Sequence, residues 1–157
     1  MLKVPEKIFN VEVNDVEIGL SEIHIYEKDE IEDAQAGYRY NGLTGEVIEE
    51  WFGEEYIVIG NDSCCGDPII AKVDEEEIPI YFMFHDDWSS LQLIASSLEQ
   101  FVDILKKLEE TDLEDKDECV NVLEDIKQEV PSASYEYWEG CVASAYEFLT
   151  DEEYWEE

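Results

Sequence analysis

Apolar positions along this chain change period once, near residue 87. Before that point they alternate or run continuously. "IFNVEVNDVEIGLSEIHIY" (8–26) alternates loosely and is rich in Ile and Val, which predicts one or two strands. "EKDEIEDAQAGYRY" (27–40) reads as an acidic helix of about two turns, with Gly37 placed to end it in the left-handed conformation. "NGLTGEVIEEWFG" (41–53) is rich in turn residues and predicts a loop that Trp51 anchors to the core. Three strands then follow closely, over Glu55 to Gly60, Pro68 to Asp74 and Ile78 to Phe84. Their short connections, "NDSCCGD" and "EEE", favour antiparallel neighbours. Pro68 suits the first residue of a strand, and Pro79 an edge or a strand start.

From Asp87 onward the spacing becomes helical. Leu91, Ile94, Leu98, Phe101, Leu105 and Leu108 alternate by three and four, forming one stripe. A second helix is expected from Leu113 to about Gln128, with Val120, Leu123 and Ile126 inward. After Pro131 a third carries Trp138, Cys141, Val142, Ala145, Phe148 and Leu149. Strands first and helices last predict an α+β domain, an antiparallel sheet with the carboxyl-terminal helices on one face. The 157 residues are long enough for one domain with a proper core. The tail "TDEEYWEE" carries little apolar content.

Charge alters this ordinary picture. Nine Lys and Arg against 43 Asp and Glu give a formal net charge of −34, and Arg39 is the only arginine. Direct binding to nucleic acid or to an anionic membrane is therefore excluded as a function class, because phosphate contacts need clustered cations. A positively charged protein would be attracted. The amino terminus has no basic segment leading into an apolar core, and no apolar run reaches the length of a membrane span. With four cysteines and no secretory signal, reduced thiols in a cytoplasm are expected.

The candidate chemistry is thin. Cys64 and Cys65 are adjacent, which rules out an unstrained disulfide between them and the two-residue spacing of a redox pair. A metal site would need His85, Cys119 or Cys141 to converge, without paired-ligand spacing in the chain. A Cys65 nucleophile activated by His85 is opposed by Asp62, Asp67, Asp86 and Asp87, which disfavour a thiolate. In "FHDDW" (84–88) either Asp86 or Asp87 is expected to cap the following helix. No catalytic residue, cofactor-binding residue or metal ligand emerges.

The ordered set "QAGYRY" (35–40), Trp51, "YIVIGNDSCCGDPIIAKV" (56–73), "FHDDW" and "IASSLEQFVDIL" (94–105) resembles the SUKH superfamily, the Smi/Knr-type domain. The pattern is clearest over 35–108, with 109–157 a helical extension ending in an acidic tail. The turn carries Cys64-Cys65 where small residues are usual, and the amino-terminal helical region is shortened. The resemblance implies an α+β fold and a non-catalytic interaction protein, in bacteria often an immunity protein that neutralises a cognate toxin. Residues carried over are Gly37, Tyr38 and Trp51 as fold motif, Gly60, Gly66, Asp67 and Pro68 in the hairpin, and Ser97 and Phe101 in helix packing. The leading expectation is an immunity protein that occludes the active site of a basic toxin such as a nuclease. The acidic and aromatic residues Asp62, Asp86, Asp87, Trp88, Tyr154 and Trp155 are the candidates for its contact surface. A regulatory or scaffold module of the same fold, and a thiol hydrolase built on Cys65 and His85, are the alternatives.

Overall fold

The computed structural model describes residues 4–11, 15–19, 21–62 and 66–150. Six strands run in sequence order across one sheet, each antiparallel to the next: β1 (Asp15–Ile18), β2 (Ser21–Ile25), β3 (Tyr56–Asp62), β4 (Asp67–Lys72), β5 (Ile80–Phe84) and β6 (Asp87–Ala95). A four-residue helix, α1 (Glu6–Phe9), precedes them, and α2 (Lys28–Ile31) with a 3-10 turn (Asp33–Gln35) follows β2. The chain closes with α3 (Leu98–Glu110), α4 (Lys116–Glu129) and α5 (Ser132–Thr150). The architecture is α+β, as the change of period predicts.

The central strands are apolar on both faces because both faces are covered. Ile57, Ile59, Ile69, Ala71, Ile80 and Phe82 join the main core with α3, α4 and α5. Val58, Ile70 and Met83 point the other way, into a smaller cluster around Trp51. A strand buried on two sides reads as a continuous apolar run, and "YIVIG", "PIIA" and "IYFMF" are such runs. The helices reach the sheet partly through polar atoms. Trp138 of α5 donates its indole N–H to the Ile94 carbonyl at 2.8 Å, and the Ser134 hydroxyl donates to the Leu93 carbonyl at 2.7 Å. Both side chains are buried, so each apolar contact comes with a satisfied hydrogen bond.

Three expectations change. Residues 87–95 form β6 and not the start of a helix, and the stripe becomes helical only from Leu98. The β5–β6 pairing shifts register between Ile80 and Tyr81 and again between Phe82 and Phe84. These irregularities put Leu91 on the small cluster and the consecutive Ile94 and Ala95 in the main core. A bulged strand thus imitates a spacing of three. The cap of α3 is accordingly Ser97, whose hydroxyl accepts from Gln100 N at 3.0 Å, and neither Asp86 nor Asp87. On α4 the buried face is Cys119, Val122 and Ile126, whereas Val120 is half exposed. Cys119 packs as a small apolar residue and shifts the stripe by one position.

The sheet also depends on a side chain that replaces a strand. Strand β2 pairs with β3 only as far as Ile25 opposite Gly60, with Tyr26 N donating to Ile59 O. The chain then turns away into α2, which would leave Val58 without a partner on that side. Gln35 fills the place: its Nε2 donates to Val58 O at 2.7 Å and its Oε1 accepts from Val58 N at 2.9 Å. The same Nε2 donates to Ile31 O, and the side chain is 1% exposed. Gly60 sits at the bulge in β3 next to this point, where any Cβ would strike the His24 carbonyl oxygen of β2. Replacing Gln35 with Ala strands two buried backbone groups at about 1–3 kcal/mol each, so we expect a loss of about 2–6 kcal/mol in urea unfolding. A loss under about 1 kcal/mol would mean that water substitutes for the amide.

Candidate functional site

The sheet face without helices carries a cluster of aromatic residues. Over it lies the segment from Ala36 to Gly53, a small hairpin whose stem pairs Tyr40 with Val47 and in which Ile48 N donates to Arg39 O. Gly37, at φ +88°, turns the chain from the 3-10 segment into this stem, a conformation that L side chains rarely adopt. At the far end Trp51 returns to the sheet, is 8% exposed, and donates its indole N–H to Tyr56 O at 3.0 Å.

Ring contacts run continuously from there. Trp51 meets Tyr38 at 6.0 Å, Phe52 at 5.1 Å and Trp88 at 5.6 Å between centroids. Trp88 also meets Tyr38 and Phe52, and Phe52 leads through Tyr56 to Tyr81. Tilted and edge-on arrangements at these separations suit the ring quadrupoles. The rings fill the space between themselves, and Tyr38, Phe52, Tyr56, Tyr81 and Trp88 each remain only partly buried. The face is therefore a fixed aromatic platform and not a cavity.

The acidic rim is attached to this platform by one carboxylate. Asp67, at the start of β4 and 6% exposed, accepts with Oδ1 from His85 N at 3.0 Å and meets His85 Nδ1 at 2.8 Å. The His85 carbonyl in turn accepts from the Trp88 indole N–H at 3.2 Å. Asp67 thus ties the turn after β5 to the start of β4 and, through it, sets the position of Trp88. Asp86 lies in that same turn and Asp87 opens β6, both exposed, with Asp87 Oδ1 accepting from Ser89 N at 3.1 Å. Asp62 closes β3 opposite Asp67.

Asp62, Asp86, Asp87 and Trp88 therefore gather at one end of the sheet, while Tyr154 and Trp155 lie outside the described residues. Of the fold-motif residues, Tyr38 and Trp51 share a ring cluster with Trp88. Gly66 (φ +75°) and Pro68 flank Asp67, and Phe101 is buried beside Trp138. Phe52, Tyr56, Tyr81 and Gln35 were not singled out from the sequence. The continuous apolar runs of β3, β4 and β5 are the one sequence signal for a second covered face, and the cover itself comes largely from a loop.

Among the described residues, the groups weighed as metal ligands, His85, Cys119 and Cys141, form no shared cluster. Burial pushes the Cys141 thiol up to about 12, and burial with Asp112, Asp115 and Glu118 raises that of Cys119. Cys64 and Cys65 lie outside the described residues. Among the described residues, the acidic side chains close enough to share a cation are Glu27, Asp29 and Glu30, all exposed, with neither His nor Cys among them.

The Asp67 hydrogen bond, together with the charges of Asp86 and Asp67, raises the His85 pKa above its ordinary 6.5. The sign follows directly: this tether contributes fully below the unfolded value near 6.5 and is lost as pH rises through the higher folded value. In an NMR titration of the imidazole C–H signals, His85 is expected to titrate above 6.5 and to move down toward it in Asp67→Asn. The amide oxygen of Asn keeps accepting from His85 N, so an unchanged midpoint would show that the carboxylate does not hold the ring.

A family model described as SMI1 / KNR4 family (SUKH-1) matches residues 8–104, more than half of the 157. It takes in the amino-terminal strands as well as the motifs from Gln35 onward. No curated protein and no solved structure is significantly similar to the chain.

Proposed function

The chain belongs to the SMI1 / KNR4 family (SUKH-1), and from that premise we propose that it is a cytoplasmic immunity protein that occludes the active site of a cognate basic toxin. It acts by binding and not by catalysis. The observation that carries this reading is the pairing of a preformed aromatic platform with an acidic rim in a chain of net charge −34. Aromatic anchors supply contact area at low entropic cost, and carboxylates at the rim draw in a cationic partner and set its orientation. A toxin cleft that holds nucleic acid is basic because it must bind phosphates, so a nuclease fits this surface. Asp62, Asp86, Asp87 and Trp88 meet the toxin, and Tyr154 and Trp155 extend the contact from the acidic tail.

We take 1–157 as one SUKH-like unit and 109–157 as its helical extension. Cys119 and Val122 of α4, and Trp138, Val142 and Ala145 of α5, enter the core that the strands build, which supports that reading. No helix among the described residues is long and apolar enough to cross a membrane.

The test is stopped-flow association with the purified carboxyl-terminal domain of the protein encoded by the adjacent gene. The association rate is expected to fall at least about tenfold between about 20 mM and about 300 mM salt. Asp62→Asn/Asp86→Asn/Asp87→Asn together should slow association several-fold while leaving dissociation nearly unchanged. No association, or a rate indifferent to salt, contradicts the proposal.

A further inference from the structure

At the tip of the hairpin over the aromatic face, Leu43 is 98% exposed and Val47 79%. Single exposed apolar residues are common on protein surfaces and by themselves call for no explanation. Here, however, the backbone around them is held in place. Asn41 N donates to Glu46 O at 2.8 Å, and Gly45 N donates to Asn41 O at 2.7 Å. The Asn41 side-chain oxygen accepts from Leu43 N at 2.8 Å and Thr44 N at 3.2 Å, and the Thr44 hydroxyl accepts from Glu46 N at 3.2 Å. Below the tip, the Tyr40 hydroxyl donates to Glu32 O at 2.9 Å and Arg39 Nη2 donates to Glu54 O at 3.4 Å. These bonds fix the backbone that carries Leu43 outward, so little backbone freedom is left to lose when a partner covers it.

The surroundings specify the partner's charge. No Lys or Arg occurs between residues 40 and 71, whereas Glu46 lies within the tip, Glu49 and Glu50 follow it, and Glu54 and Glu55 come just after the segment. The stem is continuous with the platform, since Tyr38 touches both Trp51 and Trp88. A second copy of this chain would bring two acid-flanked tips together at a charge of −34 each.

We infer that the 41–47 tip is a preorganised anchor, with Leu43 and Val47 entering an apolar recess in the basic surface of a partner protein beside the aromatic platform. This rests on the proposed function and adds a contact of a different kind from its acidic residues. Charge governs how fast the partner arrives, and Leu43 governs how long it stays.

The experiment uses the full chain and the same adjacent-gene domain. Leu43→Ser removes no folded-state packing, so its unfolding midpoint should match the wild type. Its dissociation should be roughly 10- to 100-fold faster, with the association rate and its salt dependence unchanged. Leu43→Met, which keeps an apolar side chain of similar volume, should dissociate within about threefold of the wild type. If the wild type binds and Leu43→Ser dissociates at the same rate, the anchor is overturned and the proposed function stands. If the wild type does not bind that domain, both fall. A wild-type dimer in sedimentation equilibrium that Leu43→Ser dissolves would overturn the inference in favour of a second copy.

Discussion

One amide side chain stands in for a strand, and the layout of this protein follows from it. Strand β2 covers only half of β3 before the chain departs at Tyr26, and Val58 would otherwise keep a buried N–H and C=O unpaired. Gln35 satisfies both. Because it does, the chain is free to leave the sheet there, form α2, and return as the hairpin that crosses the helix-free face. The same bond fixes where the hairpin begins, since Tyr38, three residues on, must meet Trp51 and Trp88. A buried polar contact thus converts a gap in the sheet into the root of a surface.

The second tether works from the opposite side. Asp67 joins the start of β4 to the turn after β5 and so positions Trp88 from below, while the hairpin positions Tyr38 and Trp51 from above. The platform is held from two directions, by the buried Asp67 carboxylate on one side and by the hairpin rooted at Gln35 on the other. That arrangement suits recognition of a folded partner, where affinity depends on anchors whose entropy is already spent. The acids around it add orientation and encounter rate, and their effect fades as salt screens them.

Much of this was legible in the residues. The change from continuous apolar runs to a helical stripe marks the α+β order, and the Gly-Asp-Pro turn with Trp51 and Tyr38 carries the family pattern. What escaped has particular causes. Residues 87–95 imitate a helix because register shifts in the β5–β6 pairing put Leu91 on one face and both Ile94 and Ala95 on the other. Cys119 was weighed as chemistry when it is packing. Gln35 gave no local signal, because its partner is a backbone group 23 positions away that only the fold brings near. The division between fold-motif and contact residues also dissolves, since Trp51 and Trp88 touch.

The central claim is that the helix-free face, and not the helical one, is where this protein meets its partner. Hydrogen–deuterium exchange of the chain alone and in complex with the adjacent-gene domain tests it most directly. The account predicts that binding slows exchange in 37–52 and 84–90, with α3, α4 and α5 unchanged. Slowed exchange confined to those three helices would contradict it.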